Sequence, residues 1–174
     1  MTGYKQHEFY ARSKIILTAA FVIFLLGISI MVKAQEDPPR PPSISLKTNM
    51  SFGAFYNGAS GGTVTVDEMG LRTVTGDVVP FSLGFPVSAV HFNIYANAGT
   101  VISFLNIPDF PLTWSGYSMN VHIGTSNPTI PFVNVNPYSV ATELTIGATL
   151  NVGNSTANPP GSYTGTFDVT LVIE

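Results

Sequence analysis

The sequence predicts an all-β chain, a β-sandwich of about eight strands behind an N-terminal signal peptide. Three observations carry that expectation. Apolar residues recur at every second position in short runs, Gly, Pro and Asn separate the runs, and no stretch keeps the spacing of an amphipathic helix. Charged residues make up only 10% of the chain, against about 25% in an average soluble protein. Thr, Ser, Asn, Val and Gly fill the gap, as suits strands and turns.

Residues 1–14 are polar and carry Lys5, Arg12 and Lys14, and Ile15 to Val32 is a run of 18 residues without a charge. Val32-Lys33-Ala34 then supplies a small-x-Ala cleavage site, so residues 1–34 are expected to be a signal peptide cut after Ala34. The run is also just long enough to span a bilayer as an uncleaved anchor. On either reading the rest of the chain leaves the cytoplasm, and it meets a membrane only through this segment. Residues 35–42, QEDPPRPP, form a linker in which four prolines deny ladder donors and favour an extended chain.

Ordered structure is expected over 43–174. Ile44 to Thr48 alternates, and Ser51 to Tyr56 reads as its continuation. Asn57 to Gly62 reads as a glycine-rich turn. Thr63 to Val66 and Leu71 to Thr75 make a hairpin around Asp67-Glu68-Met69-Gly70. Val78 to Phe85 is a strand interrupted at Pro80. Val90, Phe92 and Ile94 share one face of the next strand, which a turn at Asn97-Ala98-Gly99 joins to Val101–Ile107. Pro108 to Gly116 reads as a loop. Ser118 to Ile123 points Met119, Val121 and Ile123 inward, and Thr125 to Tyr138 is a long connection with at most a short edge strand. In Glu143 to Val152 the residues Leu144, Ile146, Ala148, Leu150 and Val152 are in phase. The C-terminal run is the strongest local signal, with Tyr163, Gly165, Phe167, Val169, Leu171 and Ile173 alternating with polar neighbours as far as Glu174.

Charge and composition exclude several functions. From Gln35 onward three Lys/Arg (Arg40, Lys47, Arg72) face nine Asp/Glu, so no basic patch exists to grip nucleic acid. With no cysteine, thiol catalysis, cysteine-ligated zinc and an acylated N-terminal cysteine are ruled out. Gly58-Ala59-Ser60-Gly61-Gly62 formally matches the nucleophile elbow G-x-S-x-G, but that motif needs a helix after the serine, and Thr63-Val64-Thr65-Val66 follows here. His91 and His122 lie on the polar phases of their strands, without a carboxylate and nucleophile in a triad pattern. Asp67 and Glu68 sit in a turn that lacks the oxygen-ligand spacing of a calcium loop. No catalytic residue, cofactor or metal is therefore expected, and the chain reads as a non-enzyme. Tyr95, Trp114, Tyr117 and Tyr138 fall in loops or on polar phases, where a ring either caps the core or stacks on a sugar or protein partner. Trp114 is the best candidate among them. Asn49-Met50-Ser51 and Asn154-Ser155-Thr156 match the N-glycosylation acceptor, a cheap match in so Asn- and Thr-rich a chain.

Two stretches carry a resemblance. Phe52-Gly53-Ala54-Phe55-Tyr56, followed by Gly61-Gly62-Thr63-Val64-Thr65-Val66 and Gly70-x-Arg72, resembles the opening of a family of exported bacterial domains of unknown function. Ile146 to Val152, then Pro160-Gly161-Ser162-Tyr163-Thr164-Gly165-Thr166-Phe167-Asp168-Val169-Thr170-Leu171, resembles its ending. Such domains are in turn similar to the spore-coat-U type of secreted pilin domain. The resemblance implies an immunoglobulin-like sandwich and a fimbria-like role in cell adhesion, and it brings no catalytic residues. Chaperone–usher pilins extend an alternating apolar donor strand into the next subunit. QEDPPRPP cannot be such a strand, so either Ile44 to Met50 is the donor or the domain completes itself, the second being favoured.

The function expected is an exported, non-enzymatic structural or adhesive component of the cell surface, located outside the cell or in the periplasm. Its expected partners are copies of itself or other surface subunits joined by strand addition. The alternative is a small module that binds a carbohydrate or other ligand through its loop aromatics.

Overall fold

The computed structural model describes residues 40–173. The expected signal peptide and most of the proline-rich linker lie outside the described residues. Within them the fold is all-β, with twelve strands and no helix. They are β1 (Ser43–Thr48), β2 (Ser51–Phe52), β3 (Ala54–Val66), β4 (Arg72–Phe81), β5 (Val87–Ser88), β6 (Val90–Tyr95), β7 (Val101–Phe104), β8 (Phe110–Trp114), β9 (Tyr117–Asn127), β10 (Phe132–Val133), β11 (Thr142–Val152) and β12 (Leu171–Ile173). Every pairing is antiparallel.

The architecture is a β-sandwich organised around β11. Along one edge, Thr142–Ile146 of β11 pairs with β6, and Ala148–Val152 pairs with β3. Along the other edge it pairs with β9. β1 extends the sheet beyond β6, and β4 extends it beyond β3. The change of partner falls at Gly147, where a Cβ would lie 2.6 Å from the carbonyl oxygen of Val66. Only glycine lets the two backbones approach so closely. The register with β9 shifts at the same place, between Ile146 and Ala148, as a bulge does when a strand bends. A second sheet, β10-β7-β12, lies on the β6 side.

Because β11 divides one edge between two partners, the core has two lobes. One gathers Val64, Val66, Met119, Val121, Ala148 and Leu150, and the other gathers Val90, Phe92, Ile94, Ile102, Leu144 and Ile146. Burying each fully enclosed aliphatic side chain contributes about 1.5–3 kcal/mol. The alternation predicted for β6, β9 and β11 holds: Val90, Phe92 and Ile94, Met119 and Val121, and Leu144, Ile146, Ala148, Leu150 and Val152 point inward.

Four local expectations are corrected. The stretch 51–56 is not one strand, because Gly53 takes φ 70 and divides β2 from β3. The glycine-rich stretch 57–62 is no turn: β3 runs through it, with a register shift against β4 between Asn57 and Gly62. The returning chain is likewise one strand, β4, where two were expected. The loop 108–116 contains β8, which forms a tight hairpin with β9 around Ser115-Gly116, both at positive φ. Pro111 is tolerated there because β8 is an edge strand.

The largest correction is the C-terminal run. It keeps its alternation, with Tyr163, Phe167, Val169 and Leu171 partly buried, but is ladder-paired only at its ends. Thr164 bridges Thr113, and Leu171–Ile173 pairs with β7. Between them the segment packs by its side chains, as in Phe167 against Phe110, with ring centroids 4.9 Å apart.

Candidate functional site

The four aromatic candidates fall into two groups with different surroundings. Tyr95 ends β6 and Tyr138 lies in the loop before β11, with ring centroids 6.3 Å apart. The Tyr138 hydroxyl donates to the carbonyl of Pro41 at 3.3 Å, and the Arg40 guanidinium lies 5.4 Å from its ring centroid. This pair ties down the start of the described chain, which accounts for both rings without a ligand.

Trp114 and Tyr117 close the β8–β9 hairpin as directly paired residues. Their centroids are 6.3 Å apart and their planes differ by 21°. Tyr117 is 41% exposed and Trp114 36%. The indole is held in place by the C-terminal segment. Gly161 passes so close that a Cβ on it would fall 2.2 Å from the ring, and Tyr163 packs at 6.0 Å with a 50° tilt. The Tyr163 hydroxyl donates to the Pro159 carbonyl at 2.9 Å, and burial raises its pKa above the ordinary phenol value. The result is a two-ring surface at a hairpin tip, backed by backbone and a third ring.

The polar candidates do not converge. Ser60 lies within β3, with strand on both sides, and its N–H donates to Asp77 Oδ2 at 3.3 Å. His122 Nδ1 is 2.7 Å from Asp109 Oδ1, and Asn120 Nδ2 donates to the same carboxylate at 3.1 Å. That cluster is solvent-exposed on the outer face of β9. His91 is on β6, across β11 from His122. Asp67 organises its turn, accepting from the N–H groups of Met69 and Leu71 at 3.0 and 2.7 Å. Lys47 and Glu143 form an exposed ion pair whose hydrogen bond and charge hold the Glu143 carboxyl below the ordinary range. Among the described residues no group of three or more His, Asp or Glu side chains gathers as a metal site would require.

The residues behind the resemblance prove to be backbone locks. Arg72 Nη1 donates to the carbonyls of Phe52 and Ala54 at 3.1 and 3.0 Å, clasping the chain on both sides of Gly53. Gly161 and Tyr163 fasten the closing segment under Trp114. Two buried asparagines do comparable work. Asn134 Nδ2 donates to the carbonyls of Ala96 and Asn136, and its Oδ1 accepts from Thr142 at 2.6 Å. Asn158 joins Gly153 to the Ser118 carbonyl. Nothing in the sequence separates these two from the chain's many loop asparagines.

Sequence reasoning missed an exposed apolar patch at one end of the β3–β4 ribbon. Tyr56 and Phe81 touch, with centroids 5.3 Å apart, and Val79 stands directly opposite Tyr56. Leu83 and Phe85, each 66% exposed, follow in the next bend. The signal was present in Phe81-Ser82-Leu83-Gly84-Phe85-Pro86, whose apolar residues alternate beyond the strand's end with nothing to bury them.

The family model described as Domain of unknown function (DUF4402) matches residues 43–172. No curated protein and no solved structure matches the chain significantly.

Proposed function

Since the chain belongs to the DUF4402 family of domains of unknown function, we propose that it is an exported, non-enzymatic structural or adhesive component of the bacterial surface. The observation that supports this most is the exposed apolar patch of Tyr56, Val79, Phe81, Leu83 and Phe85 at the end of the β3–β4 ribbon, where Val79 and Phe81 belong to the edge strand β4. Contiguous exposed apolar groups beside an unpaired edge are what a protein–protein contact uses. The likeness of the opening and closing motifs to spore-coat-U type pilin domains supports the same reading, with a fimbria-like subunit as its most specific form. The charged N-terminus, the apolar run and the Ala34 cleavage site support export.

The test is the size distribution of the processed protein, residues 35–174, by light scattering after chromatography, with electron microscopy of the same sample. Filaments or stable polymers that disappear in Phe81→Asp sustain the fimbria-like form. A monomer that fails to bind cells or other surface proteins removes the proposal.

The second reading is a carbohydrate-binding module, favoured by the exposed and fixed Trp114–Tyr117 pair, since flat aromatic faces stack on sugar rings. Glycan-array binding that is lost in Trp114→Ala supports it, and an array without hits removes it.

A further inference from the structure

The pairing of β8 with β9 ends at Phe110 and Val121. Beyond it β9 continues to Asn127 in the main sheet, whereas the chain that leads into β8 comes from β7 in the second sheet. Between these diverging walls lies a groove of about 340 Å³. Leu105 and Ile107 line one wall and Ile123 the other, Ile130 stands on the loop that crosses from β9 to β10, and Ile146, buried in β11, is the floor. Leu105 is 59% exposed, an apolar side chain turned to water at the lip of the groove.

We propose that this groove binds a free, uncharged, single-chain amphiphile, with an aliphatic tail of about ten carbons and a small hydrogen-bonding head. Volume sets the length of the tail. The groove is at the lower end of the range of small-molecule sites, about 300–1,000 Å³, and at roughly 30 Å³ for each water-sized group it takes about ten of them in a row. A two-chain bilayer lipid is far too large. The lining sets the character of the tail, because both walls and the floor are apolar and a sugar would leave its hydroxyls unpaired against them. Charge sets the head: no Asp, Glu, Lys or Arg lines the groove, so an ionised head finds no partner there. The polar groups that do line it suit a neutral head. Asn106 lies between Leu105 and Ile107, and Thr129 lies beside Ile130. Neither the Asn106 amide nor the Thr129 hydroxyl has a hydrogen-bond partner among the described residues. Each both donates and accepts, which matches a head built of hydroxyl, ester or amide groups. This site is independent of the surface-component reading.

The probes are monoacylglycerols with tails of six, eight, ten and twelve carbons, each kept below its micelle-forming concentration. They are titrated into the whole chain, purified in the form its host processes it to, with isothermal titration calorimetry as the readout. Saturable binding is expected, tightening about fourfold per added methylene up to a tail of about ten carbons and levelling off beyond it. Decanoate, ionised at neutral pH, is expected to bind about tenfold or more weakly than decanoylglycerol. Leu105→Asp and Ile107→Asp are each expected to weaken decanoylglycerol binding about tenfold or more. Their unfolding midpoints should stay in place, since neither side chain belongs to either core lobe. Asn106→Ala is expected to lower affinity about threefold and to leave the gain per methylene unchanged, as a residue that holds only the head should. Phe81→Asp is expected to bind as the wild type does. No saturable binding at any length, an affinity indifferent to tail length, decanoate bound as tightly, or unchanged affinity in both aspartate variants overturns the proposal. So does loss of binding in Phe81→Asp, which would place the amphiphile on the β3–β4 patch. Flotation with phosphatidylcholine vesicles that is lost in Ile107→Asp also overturns it, because the occupant would then be a bilayer.

Discussion

At Asn134 a single amide holds a loop together. It is 1% exposed and bonds to three backbone carbonyls and one hydroxyl. Asn134→Ala strands these partners away from water, and each orphaned buried polar group costs about 1–3 kcal/mol. Urea denaturation is expected to show a loss of that order, larger than for alanine at exposed Asn127. Gly161→Ala puts a methyl group into the face of Trp114 and is expected to lower the midpoint too, together with the intrinsic tryptophan emission. Tyr163 gives a pH signature. Burial raises its folded pKa above the unfolded value, so its contribution is complete below about pH 10 and is lost as pH rises through the folded pKa. The midpoint of the wild type is therefore expected to fall more steeply than that of Tyr163→Phe across alkaline pH.

Strand by strand, the sequence disclosed faces better than it disclosed partners. In β6, β9 and β11 the alternation was legible because each strand has one face in the core and one in water, and burial enforces a period of two. The division of β11 between two partners was not legible, since Gly147 looks like any glycine in a strand until Val66 is placed against it. The hairpin of β8 was hidden by Pro111, which reads as a loop residue although an edge strand accepts it. The C-terminal run shows the converse error. Alternation reports where side chains go, and Phe167, Val169 and Leu171 do point inward, but it does not report whether the backbone finds a ladder. Phe167→Asp places a charge against Phe110 and the β6-side lobe, and is expected to abolish cooperative folding. A soluble variant with a sharp transition would show that the segment is dispensable. Of the candidate site, the Trp114–Tyr117 pair was visible as residue types, whereas its backing by Gly161 and Tyr163 was not, because that arises from tertiary packing rather than from any motif.

For the molecule as a whole, β11 makes two core lobes into one cooperative unit. Neither can open without losing half of its central strand, so a single unfolding transition is expected by both fluorescence and circular dichroism. Gly147→Val strikes the joint and is expected to cost about 1–3 kcal/mol from overpacking, with the transition still single. Two separate transitions would show that the lobes are independent. At this scale two surfaces are distinct: the β3–β4 ribbon end and the aromatic hairpin tip of β8 and β9 draw on different strands. Substitutions at one are expected to leave the other working, which binding and assembly assays on Phe81→Asp and Trp114→Ala can check side by side.

The crossing at Gly147 also bears on how such a chain can diversify over generations. A descendant is free to lengthen the bend after Phe81 or to replace the exposed Leu83 and Phe85, because each change is met by solvent. Position 147 has no such freedom, since any side chain there meets the backbone of Val66 and Asp67. Lineages should therefore differ in what they hold and agree on this one residue, with the variable surfaces arrayed around a fixed pivot.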